Sequence, residues 1–446
     1  MQQVGTSPKD RDLTEFTRLL TEYIGFKSVS TDPAFASGIA GQVKWLTELF
    51  ENNGFKVDIL KGPKTNPVVL ATYHTSDNLK TKLIYGHYDV QPASIEDGWK
   101  TDPFVLHEED GRFVARGIVD NKGQNFIHIY TAINLIKAGK LGCNLKFMIE
   151  GNEETSNPDM ADLVSANADK LKCDQIIISD GEILGFTPTI EESLRGGGNL
   201  TLKFISGKND LHSGLFGSGV PSATKELIAF LAKMLLPDGT VTIPGFYDAV
   251  DKIKPEQIER NLALLKIDDP IKTGGVKATI GKYDFHTMVG IWPAIEVSGI
   301  QAGYTGEGYK NIIPASAFAK INFRLVASQT PEAFAESFKK YVAEHVPSYI
   351  DYEISIDKMT YPVKVNVTDP EILKIMDNQE KIYGVKPVIK NVGGGIPVVA
   401  DFKNVLGIDA FLISLGNNDC NMHGVAENFN IELIKHGLEL SGTMLG

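Results

Sequence analysis

The chain has 446 residues, of which 42% are hydrophobic and 22% charged, and its formal net charge is −12. This composition is that of a globular protein, and the length predicts more than one domain. The acidic balance, without any Lys/Arg-rich run, excludes a nucleic-acid partner. No apolar run is long enough to cross a membrane, and the polar start Met1–Asp10 lacks the apolar core of a signal peptide, so we expect a cytoplasmic protein.

The first part of the chain has the pattern of an α/β domain. Apolar residues recur at helical spacing over 13–24 and 39–50, which predicts two amphipathic helices. Continuous apolar runs separated by turn residues and by a helix over 123–138 predict a mostly parallel sheet with helices on both faces. These predicted strands are 67–72, 82–85, 145–149 and 175–179.

The pattern changes near Arg195. Strict alternation of apolar and polar residues over 199–204 and 317–325 predicts an antiparallel sheet with one covered face. With its helices, this part has the order of a βαββαβ, ferredoxin-like layer interrupted by a long insertion. The other predicted elements are helices at 222–236 and 331–345, strands at 294–300 and 352–356, and the insertion at 237–290.

The alternation of helix and strand returns after Pro362, with a helix over 370–383 and a strand over 410–414. The first domain is therefore predicted to be discontinuous, with the second domain inserted into it. The predicted bounds are 1–193 and 363–446 for a catalytic metal-binding domain, and 194–362 for the inserted α+β domain.

Side chains that can bind a metal stand at the ends of the predicted strands. His87, Glu154 and Asp180 each follow an apolar run, and His423 lies on the loop after the last one. Because the carboxyl ends of parallel strands line one crevice, we expect these side chains to converge. Histidine and carboxylate ligands without cysteine suit zinc, with manganese or cobalt as substitutes.

Asp120, just before the helix over 123–138, is the natural bridging ligand for two metals. Two metals about 3.5 to 4 Å apart need a ligand that binds both, and a carboxylate has two oxygens for this purpose. His87 with Asp180, and Glu154 with His423, would complete the two sites and leave a position for water.

Glu153 is predicted to be the general base. Two adjacent carboxylates cannot easily bind the same ion. Glu154 is therefore predicted to bind a metal, while Glu153 takes a proton from the water between the metals and so forms hydroxide. Asp89, two residues past His87, is predicted to orient the imidazole through its second nitrogen. The expected reaction is hydrolysis of an amide bond.

Six motifs occur in order along the chain and carry a family resemblance. They are GHYDVQP (86–92), DGWKTDPF (97–104), RGIVDNKG (116–123), EGNEET (150–155), DLHSG (210–214) and GGGIP (393–397). Together they resemble the carnosinase, aminoacylase and desuccinylase family of clan MH dinuclear zinc metallopeptidases over nearly the whole chain. The likeness is strongest to the cytosolic non-specific dipeptidase and carnosinase branch.

This resemblance implies roles for the second domain. It would act as a lid and form a homodimer, in which His212 reaches the neighbouring subunit's site and stabilises the tetrahedral oxyanion. Arg324 would hold the terminal carboxylate of the substrate, a task that suits a bidentate guanidinium. Asn311 and Gly395 match substrate-contact positions. The Asp120–Asn121 peptide bond would be cis, as is common at this place in the family.

Three functions are weighed. The first is a metal-dependent exopeptidase, a dipeptidase or carboxypeptidase that cuts short peptides. The second is an N-acyl amino acid deacylase or desuccinylase, which stays open because carnosinase-type enzymes have Thr and Ser where this chain has Asn311 and Gly395. The third, a metal-binding or assembly protein without catalysis, is disfavoured by the intact Glu153. Cys420 is expected to be a buried reduced thiol, since no second cysteine accompanies it in a Cys-x-x-Cys pair.

Overall fold

The computed structural model describes residues 12–357 and 359–446, so the polar start Met1–Asp10 lies outside the described residues. The chain forms two compact units. Unit 1 combines the residues up to Glu192 with Val365–Ile389 and Ile396–Gly446, and unit 2 combines Ser193–Lys364 with Lys390–Gly395. The predicted bounds of the inserted domain, 194 and 362, differ from those of unit 2 by one and two residues. The short segment of residues 390–395 had been predicted to be part of the catalytic domain, whereas it groups with unit 2.

Helices and strands alternate along most of the described chain. The helices are α1 (Thr14–Ile24), α2 (Ala36–Glu51), α3 (Lys122–Lys137), α4 (Met160–Ala166), α5 (Ala168–Leu171), α6 (Ser213–Phe216), α7 (Ala223–Met234), α8 (Pro255–Leu264), α9 (Pro270–Gly274), α10 (Phe285–Ile291), α11 (Pro331–His345), α12 (Pro370–Tyr383), α13 (Pro397–Asp401) and α14 (Ile431–Leu445). Within the described residues, no helix is both long and apolar enough to cross a membrane.

The strands are mostly short, and several directly precede the loops discussed below. They are β1 (Lys56–Leu60), β2 (Val68–Tyr73), β3 (Thr81–His87), β4 (His107–Glu109), β5 (Arg112–Val114), β6 (Asn144–Glu150), β7 (Gln175–Ile178), β8 (Glu182–Ile183), β9 (Thr189–Leu194), β10 (Gly196–Ile205), β11 (Leu211–His212), β12 (Ala294–Ala302), β13 (Ile312–Ile313), β14 (Ser316–Leu325), β15 (Asp351–Ile356), β16 (Val363–Lys364), β17 (Val388–Val392), β18 (Ala410–Ser414), β19 (Gly416–Asn417) and β20 (Asn428–Asn430).

The large sheet of unit 1 has a parallel centre and antiparallel flanks. Its order is β1-β2-β6-β3-β7-β18-β9. Strands β6, β3, β7 and β18 run parallel to one another, which confirms the predicted mostly parallel sheet. The run predicted at 67–72 is β2, which pairs antiparallel with both β6 and β1. Four parallel strands therefore bring their carboxyl ends to one edge, where the candidate ligands stand.

The core of unit 1 is built around β3, β7 and α3. All four residues of β7 are buried. Helix α3 is apolar on more than one face, as expected of a helix inside a domain, and most of its residues are buried. Phe126 of α3 packs against Phe16 of α1, with ring centroids 5.3 Å apart. The residues before α3, which include Asp120, therefore adjoin a well-packed helix.

Unit 2 has the predicted βαββαβ arrangement. Its sheet has the order β12-β14-β10-β15, and each neighbouring pair is antiparallel. Helices α7 and α11 cover one face, where Phe230 and Phe338 join a buried cluster with Phe204 and Phe323. Along β14, buried residues alternate with more exposed ones. This alternation is typical of a sheet with one covered face. The predicted insertion contains α8, α9 and α10.

Candidate active site

Five side chains proposed as ligands meet at the carboxyl edge of the parallel strands. His87 is the last residue of β3, and Asp180 follows β7 by two residues. Glu154 lies in a short 3-10 turn, Glu153–Thr155, after β6. Asp120 lies two residues before the start of α3, and His423 lies in the loop between β19 and β20. Residues that are far apart in sequence converge because parallel strands end at the same edge of the sheet.

These side chains form two groups that share Asp120. His87, Asp120 and Asp180 form one group, and Asp120, Glu154 and His423 form the other, with the ligand atoms of each group within 4.8 Å of one another. His87 Nε2 lies 3.0 Å from Oδ1 of Asp120, while His423 Nε2 lies 2.8 Å from Oδ2 of the same carboxylate. Each oxygen of Asp120 thus faces one histidine, as a bridging carboxylate between two ions requires.

The state of His87 fits a metal ligand better than a hydrogen-bonding side chain. Its imidazole is fully buried, and within the described part of the chain Nε2 makes no hydrogen bond of acceptable geometry, although Oδ1 of Asp120 is 3.0 Å away. A buried polar nitrogen without a partner is rare, because desolvation without a compensating bond is costly. His87 Nε2 and Asp120 Oδ1 are close together but not aligned as hydrogen-bond donor and acceptor. Two ligand atoms that bind the same cation are arranged in this way.

The charges of the site are strongly coupled. Burial raises the pKa of Asp120, but the imidazoles of His423 and His87 beside its two oxygens outweigh burial and hold that pKa below its usual range. The hydrogen bonds of His423 with Asp120 and Glu154 raise the pKa of the imidazole to about 10. Burial raises the pKa of Glu154. In the metal-free protein the raised pKa favours a protonated His423, and a cation must displace that proton.

Glu153 lies beside both groups but belongs to neither. Burial raises the pKa of its carboxyl well above the usual range, and the negative charges of Asp180 and Asp120 raise it further against the opposing effect of His87. Among the described residues, no donor forms a hydrogen bond with the Glu153 carboxylate. A half-buried carboxyl with a raised pKa and no donor bonded to its oxygens among the described residues is suited to accept and return a proton.

The side chain of Asp89 contacts the turn that carries Glu153 more closely than it contacts His87. Nδ1 of His87 lies 3.0 Å from the backbone oxygen of Asp89 but 3.5 Å from its carboxylate. The buried carboxylate instead accepts hydrogen bonds from Ser30 Oγ at 2.6 Å and from the N–H groups of Glu153 and Glu154, both at 3.2 Å. Asp89 therefore orients the imidazole mainly through its main chain, and its side chain holds the turn in place.

Asn121 joins two of the strands that carry candidate ligands. The Asp120–Asn121 peptide bond is cis, as the family resemblance implies. The Asn121 side chain donates to Oδ1 of Asp180 and to the backbone oxygen of Ser179, both at 2.7 Å, and accepts from the N–H of His87 at 3.3 Å. This residue is not a member of either ligand group. It connects the ends of β3 and β7 instead.

Three of the four predicted substrate residues lie on the sheet layer of unit 2 or beside it. Arg324 lies on β14, opposite Gly197 of β10. His212 is exposed, and its Nδ1 accepts the N–H of Gly214 at 3.0 Å, so the ring proton is on Nε2. The backbone oxygen of Asn311 accepts the N–H of Ser213 at 3.0 Å, which places Asn311 next to His212.

Gly395, the fourth, lies against Arg195, a residue to which the sequence analysis gave no role. A Cβ added at Gly395 would stand 2.6 Å from the backbone oxygen of Arg195, so this contact requires glycine. The Arg195 guanidinium donates to the backbone oxygens of Gly393 and Trp292. Burial, together with the nearby charge of Arg324, lowers its pKa to about 10. Arg195 directly precedes a glycine triplet, but the type of residue alone does not distinguish it from a surface arginine.

Comparison with known proteins places the chain in a family. Residues 83–445 match peptidase family M20/M25/M40. The chain is 30% identical over 459 residues to the Cys-Gly metallodipeptidase dug1 of Schizosaccharomyces pombe, covering 97% of this chain and 95% of that one. It is 28% identical over 443 residues to the human Beta-Ala-His dipeptidase, covering 93% and 86% of the two chains. Among solved structures it is similar to the metallo-carboxypeptidase Sso-CP2 of Sulfolobus solfataricus, with 30% identity, a TM-score of 0.85, and coverage of 96% and 98%.

The fold and the paired ligand groups are those of a metal-dependent hydrolase. The chain belongs to peptidase family M20/M25/M40, which confirms the resemblance drawn from the six motifs. It is thus an enzyme of the metallopeptidase class, as predicted, and the alternative of a metal-binding or assembly protein without catalysis is not supported.

Proposed function

We propose that this enzyme hydrolyses the peptide bond of dipeptides that have a free terminal carboxylate, with two divalent ions per chain as its cofactor. The observation that carries the proposal is the pair of ligand groups joined by Asp120, with a Glu153 carboxylate that accepts no hydrogen bond from the described residues. The relatives named Cys-Gly metallodipeptidase and Beta-Ala-His dipeptidase, which match nearly the whole chain, support a dipeptide as the substrate.

The donor sets favour zinc, with manganese or cobalt as substitutes. His87, Asp120 and Asp180 would hold one ion, and Asp120, Glu154 and His423 the other. Each set combines imidazole nitrogen with carboxylate oxygens and contains no thiolate, which suits a catalytic zinc with an open position. When bound, such ions act as Lewis acids that acidify water and polarise a carbonyl group.

In this proposal Glu153 moves the proton. Its carboxylate would take a proton from the attacking water and transfer it to the leaving amine, so that one side chain serves as base and then as acid. The raised pKa of Glu153 brings the proton affinity of its carboxylate closer to those of the attacking water and the leaving amine, between which it would transfer the proton. The N–H bonds from Glu153 and Glu154 to Asp89 would keep the carboxylate in place during both steps.

Arg324 is proposed to bind the terminal carboxylate of the substrate. Within residues 12–357 and 359–446, neither Arg324 nor the neighbouring Arg195 has a carboxylate in an ion pair, and burial lowers the pKa of both. Two adjacent guanidinium groups that form no ion pair with the described residues attract an anion, and a carboxylate can be bound in bidentate fashion. Asn311, which lies next to His212, and Gly395, which lies against Arg195, are proposed substrate-contact positions.

His212 is proposed to donate a hydrogen bond to the oxyanion of the tetrahedral intermediate. Since Nδ1 accepts the N–H of Gly214, Nε2 carries the proton and is available as a donor. We propose that it does so in the neighbouring subunit of a homodimer formed through unit 2. The exposed apolar residues Ile300 on the edge strand β12 and Ile228 on α7, each 55% exposed, support unit 2 as the dimerisation surface.

The test is a substrate panel with metal analysis. Metal-depleted enzyme is reconstituted with Zn²⁺, Mn²⁺ or Co²⁺ and assayed with Cys-Gly, β-Ala-His, N-acetyl amino acids and N-succinyl amino acids. The proposal predicts cleavage of dipeptides and two bound ions per chain. Preference for the N-acyl substrates would replace the dipeptidase assignment with a deacylase, and one ion per chain at saturation would remove the paired site.

Glu153→Gln tests the assignment of the base. It should lower kcat by about 10²- to 10⁴-fold because it removes proton transfer while keeping the shape of the side chain. The metal content should stay at the wild-type value. Glu51→Gln, the same change at an exposed position of α2, is the matched control and should leave kcat unchanged. Near wild-type hydrolysis by the Glu153 variant with both ions bound would show that the assignment is wrong.

A further inference from the structure

A buried ion pair joins the two irregular segments that carry Asp120 and His423. Arg116 lies four residues before Asp120, and Glu427 lies four residues after His423. Arg116 Nη1 is 2.7 Å from Oε2 of Glu427, and the two side chains are 3% and 0% exposed. Neither residue belongs to either ligand group. The pair therefore lies next to the proposed metal centre without being a part of it.

Glu427 holds the turn that presents Asp120. Its Oε2 accepts the N–H of Gly117 at 2.9 Å as well as Arg116, and its Oε1 accepts the N–H groups of Val119 at 2.9 Å and Asp120 at 3.0 Å. A carboxylate has about four lone-pair sites, so the four donors saturate it. Because three of the donors are main-chain N–H groups within residues 117–120, this carboxylate sets the backbone path into Asp120.

Arg116 holds the segment that presents His423. Its Nη2 donates to the backbone oxygens of His423 at 3.2 Å and Gly424 at 3.0 Å. His423 has a φ of 59°, in the left-handed region that residues with a side chain seldom occupy, and Ala426 has the same φ. Such a backbone persists only when its surroundings hold it. The Arg116 guanidinium provides two of the bonds that do so.

We propose that Arg116 and Glu427 are positioning residues of the metal centre, which set the distance between Asp120 and His423 and so the affinity for the ion that these two share with Glu154. The inference rests on the proposed metal centre. Ligand atoms must lie within a few tenths of an ångström of their coordination positions. Asp120 and His423 lie on loops, where regular secondary structure does not supply that precision, and the ion pair supplies it instead.

The first test compares Glu427→Gln with Asp419→Asn as a matched control. An amide in place of the carboxylate turns an NH₂ group toward N–H donors and removes the charge that Arg116 faces. Asp419 forms an exposed bidentate pair with Arg112, at 2.8 and 2.7 Å, and joins the same two stretches of chain without contacting a proposed ligand. Metal-free protein is titrated with Co²⁺ and the two ions are followed by their absorption bands.

We expect Glu427→Gln to weaken binding of the ion held by Asp120, Glu154 and His423 by about 10- to 100-fold. This is the usual effect of losing a residue that orients a ligand. Asp419→Asn should bind both ions as the wild type does. Hydrogen exchange in the metal-free protein should be faster in residues 117–120 of the Glu427 variant alone. A purely structural ion pair would instead lower the thermal stability of the variant and leave both affinities at the wild-type value.

Arg116→Lys separates the two halves of the pair and serves if Glu427→Gln does not fold. A single ammonium nitrogen can keep the ion pair with Glu427, but it cannot also occupy the position from which Nη2 reaches His423 and Gly424. We expect weaker binding only of the ion held by Glu154 and His423, by about tenfold. The ion held by His87 and Asp180 should bind as before.

Wild-type affinities for both ions in folded Glu427→Gln and Arg116→Lys variants would overturn the inference. Failure of the metal centre itself has a different signature. In that case the wild-type protein would bind fewer than two ions, or His423→Ala would bind both ions as tightly as the wild type. The experiment therefore distinguishes the positioning role from the existence of the site.

Discussion

His128 of α3 should make the stability of unit 1 sensitive to acid. It is fully buried, and its ring nitrogens Nδ1 and Nε2 lie 3.0 Å from Ser441 Oγ and 2.9 Å from Ser179 Oγ. A neutral imidazole satisfies both contacts, since one ring nitrogen donates and the other accepts. Burial lowers the pKa of His128 from 6.5 to about 4. The unfolded chain, where the pKa is unshifted, therefore takes up a proton that the folded protein rejects.

The sign and size follow from this difference in pKa. Between about pH 6.5 and pH 4 the unfolded state binds more protons, so the free energy of unfolding falls as the pH falls through this window. A gap of about 2.5 pKa units corresponds to about 3 kcal/mol lost between pH 7 and pH 4. Above pH 7 the contribution of His128 to the pH dependence vanishes, because both states are then neutral.

Urea unfolding at pH 7 and pH 4, with a chelator present to exclude effects of metal release, measures this loss. His128→Gln can still contact both serines but does not titrate in this range, so the difference between the two pH values should shrink by about 3 kcal/mol relative to the parent. His74→Gln, at an exposed position, is the control and should preserve the difference found in the parent. The same acid-induced loss in His128→Gln as in the parent would refute the reasoning.

Three further predictions concern the metal centre. Asp89→Asn should lower kcat by about 10- to 100-fold at unchanged metal content, because it loosens the hydrogen bonds from the N–H groups of Glu153 and Glu154. An unchanged kcat in steady-state assays would contradict this prediction. Since hydrogen bonds with Asp120 and Glu154 raise the pKa of His423 to about 10, metal affinity should rise at least about tenfold per pH unit from pH 6 to 8, as competition titrations can measure. A pH-independent affinity would show that no proton is displaced. Removal of metal by a chelator should abolish hydrolysis, and added Zn²⁺ should restore it; activity in metal-free protein would exclude the proposed mechanism.

Local pattern was sufficient for most helices and strands. The predicted helices at 331–345 and 370–383 have the bounds of α11 and α12, and the strand at 410–414 has those of β18. Each begins or ends at a clear signal, such as the proline at the first position of both helices. Strand β1 was missed because its residues, Lys56–Leu60, mix charged and apolar side chains on a flank of the sheet.

The direction of the flanking strands was not available from the sequence. The run at 67–72 has the continuous apolar pattern of a parallel strand, yet β2 is antiparallel to both of its neighbours. Burial on both faces produces that pattern whichever way the strand runs. Only the connections through three dimensions determine the direction.

The types and order of the candidate ligands were readable because chemistry restricts them. Histidine and carboxylate residues at strand ends have few other uses in that combination, and the motifs around His87, Asp120 and Glu153 are specific. The sequence by itself therefore determined the family, the two-part α/β architecture and the candidate metal-binding residues, since these depend on residue identity and local spacing.

Only the tertiary structure decided how those residues are held. The Asp89 carboxylate contacts the Glu153 turn more closely than it contacts the His87 imidazole. Arg195 lies beside Arg324, and the Glu427 carboxylate accepts main-chain N–H groups of the turn that ends at Asp120. Each of these contacts joins residues that are distant in sequence or involves backbone groups, which every residue possesses and no motif can mark. A buried arginine or glutamate also reads like a surface one until its partners are known. The physical reason is that the sequence gives the charge of each residue, whereas the burial of a charged side chain and its pairing with another arise only when the chain folds.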